Sequence, residues 1–234
     1  MLEHNEFYLT LVRHGQSEVN ANPDRMGQAP TVQLTDLGRA QAYKLNQRFR
    51  KEKQLFNYVF SSPYTRALDT AKIAMGVVNP DNNNIILAND ERIILADDLR
   101  EYSAGDWTNA SRSYTITESV KLRMAGLDHT FLPPNGESLS QVERRASLWV
   151  EENIIYNKEM MEKTKEYAPE GQINNIVVFS HGMTIKCLLH HIMGFDKHLT
   201  WKVTIDNTSV SRLYFGKDGW RILSINDSAH LTML

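Results

Sequence analysis

IVVFSHG, residues Ile176 to Gly182, is an apolar run stopped by a serine, a histidine and a glycine. Four consecutive apolar residues, two of them valine, predict a strand buried on both faces. A helix is expected next, over Ile185 to Met193, with Leu188, Leu189, Ile192 and Met193 in the core. The stretch FYLTLVRHG, Phe7 to Gly15, has the same design: an apolar strand over Phe7 to Val12, then Arg13, His14 and Gly15. Strands that run out into histidine and glycine and alternate with helices point to a largely parallel sheet covered on both faces. In open sheets of that kind ligands bind beyond the carboxyl ends of the strands, where His14 and His181 both lie.

The remainder of the chain continues the alternation. Thr35 reads as an N-cap ahead of Ala42, Leu45 and Phe49 at helical spacing. Tyr58 to Ser61 is a short strand. Pro63 stands near the start of the following helix, where its missing N–H costs nothing, and Leu68, Ala71 and Met75 are that helix's apolar stripe. Asn79 to Asn84 is a polar turn, and Ile85–Leu87 and Ile93–Leu95 are strand candidates. Pro133-Pro134-Asn135-Gly136 marks a loop. Ser138 to Lys165 reads as one long helix or two, and Ala168 to Asn175 as loop. Val210–Phe215 and Trp220–Ile225 flank Gly216-Lys217-Asp218-Gly219 and predict a hairpin. The long interval from Tyr102 to Gly171 is expected to form a helical cap within one domain spanning residues 1–234.

Composition narrows the classes. A chain of 234 residues buries enough apolar surface to need no disulfide or metal staple. Cys187 is the only cysteine, which rules out an intrachain disulfide or a cysteine-based zinc site and favours a reducing, cytoplasmic compartment. The opening MLEHNEFYLTLV has neither a basic region nor a long apolar one, so no signal peptide is expected. No apolar run is long enough to span a bilayer. The N-x-S/T triplets at Asn109, Asn207 and Asn226 then read as chance matches. A formal net charge of −2 with no basic block gives nucleic-acid binding no electrostatic support. Any anion site must be built locally from a few cations.

Those cations stand at the strand ends. Arg66, in SSPYTRALDTA, falls in the first turn of its helix, where positive charge opposes the helix dipole unless an anion neutralises it. Arg13, His14, Arg66 and His181 are therefore expected to converge. Two arginines offer planar forks matched to phosphate oxygens. Two histidines offer a nucleophile or base and a further donor. Gly15 and Gly182 allow a tight turn and a close ligand approach, and the helix after Gly182 aims N–H groups at an anion. Protonating a leaving alkoxide also needs an acid. Glu101 in LREYSAGDW is the best placed, with Asp106 second.

The ordered blocks RHGQSEVN, LTDLGRAQA, SSPYTRALDTA, LREYSAGDW, NGES and SHG resemble the histidine phosphatase superfamily, the phosphoglycerate-mutase-like group. The resemblance covers roughly Leu9 to Gly182. It implies a three-layer α/β/α sandwich with a mostly parallel central sheet and an inserted helical cap. It implies His14 as a nucleophile that becomes phosphohistidine. Arg13, Arg66 and His181 would hold the phosphoryl oxygens, and Glu101 would be proton donor and then base. Gln16 and Asn20 would add phosphate hydrogen bonds, and Glu137 would support the pocket. No metal and no cofactor is expected, and the partner is a small phosphorylated substrate. Fixed cations suit this scheme, because phosphoryl transfer is mostly positioning and charge neutralisation.

Mutases of this group, as the resemblance goes, carry a tyrosine before the glycine of the glutamate block, where this chain has Ala104. That favours the phosphatase branch, although Trp107-Thr108-Asn109 departs from that branch's usual acidic residue and glycine after the tryptophan. A mutase, or a catalytically dead binding module on the same fold, are the alternatives. The cap's Arg112, Lys121, Arg123 and His129, with Tyr114 and Phe131, either select a second phosphate or a carboxylate or form a solvated face, the latter being the simpler reading for Arg112, Lys121 and Arg123. His190 and His191 read as one packed and one exposed helix residue, since helix neighbours do not face each other. Trp149 packs either inward or against a second subunit.

Overall fold

The computed structural model describes residues 5–22, 24–27, 29–77, 93–167 and 173–232. One six-stranded sheet organises them. Its strands are β1 (Phe7–Arg13), β2 (Tyr58–Ser61), β3 (Ile93–Leu95), β4 (Asn174–Ser180), β5 (Val210–Gly216) and β6 (Gly219–Asp227). In space they run β3-β2-β4-β1-β5-β6. The first three pairings are parallel, and β5 and β6 add an antiparallel edge. The apolar runs of β1 and β4 are thus adjacent strands near the middle, which explains why both are buried along most of their length.

Side chains alternate across the sheet, and two cores result. Leu9, Leu11, Ile176 and Val178 face α5 (Leu139–Val150) and α7 (Gly182–Met193) through Trp149, Val150, Ile185 and Leu189. Val12, Val177 and Phe179 face α1 (Asp36–Lys51) and α2 (Thr65–Ala74) through Leu45, Phe49, Ala71 and Ala74. This is the expected sandwich of helices, sheet and helices. Each valine, leucine, isoleucine or phenylalanine so buried contributes about 1.5–3 kcal/mol. Trp149 is buried and packs edge-on against Phe60 at 5.0 Å, so it points inward.

The local signals explain the elements. Thr35 caps α1 by accepting from Gly38 N at 3.0 Å, and α2 begins two residues after Pro63. Ser138 caps α5 in a reciprocal box with Gln141. The expected long helix divides there: α5 widens into a π turn over Glu151–Ile155, and Asn157 Oδ1 then accepts from Met160 N to start α6 (Lys158–Tyr167). Strand β4 begins at Asn174, inside the expected loop, because Asn57 and Asn175 exchange two bonds of 2.8 Å. The proposed turn 79–84 and strand 85–87 lie outside the described residues. Between Tyr102 and Gly136 only short helices form, chiefly α3 (Arg112–Thr115) and α4 (Glu118–Leu127). Among the described residues no helix is long and apolar enough to cross a membrane.

Gly15 has a purpose different from the one expected. A Cβ there would collide with the carbonyl of Gly38, and one at Gly38 with the carbonyl of Gln16. The turn after His14 and the start of α1 touch backbone to backbone. The glycines of RHG and LTDLGRA are a packing pair, and the ligand is not what requires Gly15.

Candidate active site

Sheet register builds the site. Arg13 stands opposite Ser180 in the parallel β1–β4 pair, so the next residues, His14 and His181, leave the sheet side by side. His14 N donates to Ser180 O at 3.0 Å. The two rings lie 5.1 Å apart, centroid to centroid. Both histidines are fully buried.

Their protonation follows from their surroundings. His14 Nδ1 donates to its neighbour's carbonyl, Gly15 O, at 2.7 Å, which leaves the lone pair on Nε2. Arg66 Nε donates to that Nε2 at 3.3 Å. Burial, and then the charges of Arg66 and Arg13, hold the His14 pKa well below the ordinary imidazole value of 6.5. Burial and the same arginines hold His181 well below it too. His181 Nε2 meets Ser62 Oγ at 2.7 Å, and Ser62 Oγ also accepts from Tyr64 N at 3.3 Å.

The arginines are cations held at the floor. Arg66 is fully buried, its Nη1 donating to Ala29 O at 3.0 Å and its guanidinium 5.1 Å from the Tyr64 ring. Burial lowers its pKa to about 10, still far above neutrality. Arg13 Nη1 donates to Ile205 O at 2.6 Å. Arg13 Nε, Arg66 Nη2 and His181 Nδ1 are buried without a hydrogen-bond partner among the described residues. Each orphan costs about 1–3 kcal/mol, a penalty a bound anion would remove.

Glu101 closes the constellation. Its carboxylate accepts from Tyr102 N at 2.9 Å and from Met183 N and Thr184 N at 3.4 and 3.3 Å, the first turn of α7. It lies within electrostatic reach of both Arg13 and Arg66. Asp106 is elsewhere, at the surface, bonded by Asn135 Nδ2 at 3.0 Å. Above the floor is a cleft of about 490 Å³, whose lining includes Arg13, Asn20, Glu101 and Gly182.

The family model of the histidine phosphatase superfamily (branch 1) matches residues 9–228. The chain belongs to that superfamily. A Yersinia pestis (strain Pestoides F) protein named probable phosphoglycerate mutase GpmB is 29% identical over 230 residues, covering 95% of this chain and 94% of its own. The fold matches that of Entamoeba histolytica phosphoserine phosphatase, solved with phosphoserine, at TM-score 0.71, 21% identity and 96% and 99% coverage. It also matches mycobacterial glucosyl-3-phosphoglycerate phosphatase, solved with inorganic phosphate, at TM-score 0.71, 22% identity and 97% and 100% coverage.

Not every expected residue of this superfamily member reaches the cleft. Gln16 does not: its Oε1 accepts from Thr35 Oγ1 at 2.9 Å, so its side chain serves the α1 cap instead of a phosphate. Asn20 does. Its Oδ1 accepts from Ser17 N and Asn207 Nδ2, both at 3.3 Å, which turns its amide nitrogen outward. Of the cap residues, Arg112 lines the cleft. Lys121 pairs with Glu118, Arg123 lies 5.9 Å from the Phe131 ring, and His129 is buried against Thr200. The solvated reading therefore fits the exposed Lys121 and Arg123, while Arg112 is exposed at the cleft edge and His129 is buried.

Several supporting residues carry no motif. Asn207 Nδ2 donates to His14 O at 2.9 Å. Thr208, a β-branched residue at φ 54°, donates its N–H to Arg13 O at 3.0 Å. That backbone strain is retained where it holds the strand end that presents His14. Lys186 lines the cleft one helical turn after Gly182, a spacing that could have identified it.

Glu137 supports the site from behind. Arg145 grips its carboxylate with two bonds of 3.0 and 3.1 Å and also donates to the carbonyls of Asp98, Arg100 and Glu101. Burial would raise the Glu137 pKa, but the bonds and charge of Arg145 prevail and hold it below the usual carboxylate value. Arg145→Met is expected to destabilise the protein by about 2–3 kcal/mol, less than the ~3–5 of a fully buried broken pair. Arg145→Lys should recover little, lacking the fork. Urea denaturation measures both, and a cost under about 0.5 kcal/mol for Arg145→Met would show that the glutamate loop is held by other contacts.

Acid sensitivity follows from the buried histidines. His14 and His181 have folded pKa values well below 6.5, and burial with Arg48 lowers His230 to about 4. Below pH 6.5 the unfolded chain binds protons at these sites that the folded chain refuses. Their stabilisation is complete above that pH and is lost as the pH falls toward the folded values. Urea unfolding should show a decline in stability from about pH 7 to about pH 5, made shallower by His230→Gln. A flat profile for the wild type would contradict the neutral, buried state of these rings.

Proposed function

We propose that this chain is a metal-independent phosphomonoester hydrolase that carries the phosphoryl group of a small anionic metabolite on His14. The observation that carries the reading is the set of partnerless buried atoms on Arg13, Arg66 and His181 around the strand ends that present His14. We take residues 1–234 as one domain with 102–171 as its cap, and place it in the cytoplasm because of its lone cysteine.

His14 Nε2 attacks phosphorus while the ester P–O bond breaks. The phosphoryl group must enter at the Arg66–His14 contact, because neither residue has exposed surface. Arg13 Nε, Arg66 Nη2, His181 Nδ1–H and the N-terminus of α7 at Gly182 take the equatorial oxygens, with Asn20 donating from the side. The Ser62 hydroxyl, donating to His181 Nε2, keeps that ring's proton on Nδ1 where the oxygens need it. Glu101 gives its proton to the leaving alkoxide. It then takes a proton from water as that water attacks phosphorus, the P–N bond breaks, phosphate leaves and His14 is restored.

Hydrolysis is favoured over mutase chemistry by Ala104, a small buried side chain in the cleft lining where the mutases it resembles carry a tyrosine. Water has room there. The name borne by the Yersinia relative favours the second reading, phosphoglycerate isomerisation. The cleft walls combine Arg25, Arg112 and Lys186 with Trp107 and Trp201, which suits a substrate bearing a second anionic group on a short carbon skeleton.

Phosphate release from phosphoglycerates, phosphoserine, sugar phosphates and nucleotides, in excess EDTA, tests the proposal. Turnover that survives the chelator and prefers doubly anionic esters is expected. Interconversion of phosphoglycerates without phosphate release would replace hydrolase by mutase, and dependence on added metal would end the metal-independent reading.

A further inference from the structure

At the far, C-terminal end of α7, two turns beyond Gly182, is a second cluster of ligating side chains. His129, Glu143 and His190 each offer one atom, all within 4.8 Å of one another. None of the three lines the cleft. His129 comes from the 3₁₀ turn Asp128–Thr130 after α4, Glu143 from α5 and His190 from the last turn of α7. Both imidazoles direct Nδ1 at the same carboxylate oxygen: Glu143 Oε2 lies 2.9 Å from His190 Nδ1 and 3.6 Å from His129 Nδ1. The rings are 4.8 Å apart, centroid to centroid.

We propose that His129, Glu143 and His190 form a binding site for a divalent transition metal, zinc being the best match. Two imidazoles and one carboxylate are a familiar zinc donor set. Ligand atoms at about 2.0–2.1 Å from a tetrahedral ion stand roughly 3.3–3.5 Å from each other, so side-chain rotation would lengthen the 2.9 Å His190–Glu143 pair slightly and draw in the wider ones, which span at most 4.8 Å. The outer contacts resemble those of metal sites. His129 Nε2 meets Thr200 Oγ1 at 2.9 Å, which fixes the ring with Nδ1 inward, as a bound histidine's second nitrogen is fixed. The Phe195 ring lies edge-on to His190 at 5.1 Å and shields one side. An entry path exists. Glu143 is one-fifth exposed, and the half-exposed His191 lies 3.9 Å from its other oxygen. The fourth position is left to water or to His191.

Such an ion would not touch the reacting phosphate. It would tie the cap turn to the two helices that carry Arg145 and Gly182. It would also brace the cleft wall, because Thr200 precedes Trp201 and His129 precedes Phe131, whose ring stacks on Trp107 at 5.8 Å. The role is to fasten the cap.

The test is metal binding by the full chain after chelator stripping. Zn²⁺ is titrated against a chromophoric chelator, and Co²⁺ is added to the same protein to read its ligand-field spectrum. About one equivalent of Zn²⁺ per chain is expected, with a rise in Tm. Affinity should fall by at least ~10–100-fold in His129→Ala and His190→Ala, the cost of disturbing even an outer-shell partner. Glu143→Gln, which keeps shape and changes one ligand, covers the case in which either alanine variant fails to fold. His14→Ala should bind zinc as the wild type does, which excludes the His14–His181 pair as the site. No stoichiometric binding, or binding unchanged in the folded variants of the cluster, would overturn the proposal.

Discussion

His14→Ala is expected to abolish turnover of every phosphomonoester the protein accepts, by at least about 10⁴-fold, the scale on which removal of a covalent nucleophile is felt. Among the described residues no second imidazole nitrogen stands ready in its place. His181 Nε2 meets Ser62, and the remaining floor groups are cations or a carboxylate. The clamp survives the substitution, since Arg13, Arg66 and His181 are held by Ile205, Ala29 and Ser62 and not by His14 alone. Inorganic phosphate should therefore still bind while phosphate release disappears. Brief exposure of the wild type to substrate, followed by alkaline quenching, should trap a phosphoryl group on the protein that acid removes and that His14→Ala lacks. Retention of turnover in His14→Ala would show that the ester is attacked directly by water.

Glu101→Gln is expected to lower kcat by about 10²–10⁴-fold on alkyl esters, the range of general acid–base catalysis. The amide oxygen can keep the bonds from Tyr102 N and Thr184 N, so the loop should stay in place. What is lost is the proton. An aryl ester, whose leaving group needs no proton, should still phosphorylate His14. Its dephosphorylation, which needs water activated by Glu101, should remain slow. The expected signature is a burst of one phenolate per active site followed by a slow steady state. Asp106→Asn should leave kcat within about twofold, because Asp106 is at the surface on Asn135. Equal losses on alkyl and aryl esters with no burst would reduce Glu101 to a positioning residue for α7.

Most of the scaffold was legible from local chemistry. Unbroken apolar runs announced β1 and β4, and Thr35, Pro63 and Ser138 announced helix starts, because caps and strand patterns act over a few residues. The residues His14, Arg13, Arg66 and His181 stood out because cationic side chains at strand ends and helix starts are locally unfavourable without an anion, whereas Glu101 was marked by its place in the LREYSAGDW block. Gln16 misled for the complementary reason. Its polarity and position fit a phosphate contact, but Thr35, 19 residues away, takes its oxygen. The π turn after α5 has no composition signal, and Asn174 looks like loop until Asn57 supplies a partner for its neighbour.

The sequence by itself determined which groups could do the chemistry and on which kind of element each sits, since periodicity, capping and charge placement are properties of short segments. Only the tertiary structure decided their relations. Parallel register between β1 and β4, strands about 170 residues apart in the chain, makes the two histidines neighbours. Burial by both helix layers makes them neutral. Of the residues that hold them still, Asn207, Thr208 and Arg145 carry no signature, and Ser62, though inside SSPYTRALDTA, shows its contact with His181 only in the fold, because a hydrogen bond between distant segments leaves no local pattern in either. The same reason hid the gathering of His129, Glu143 and His190, three ordinary residues on three elements until the fold brings their ligating atoms within 4.8 Å.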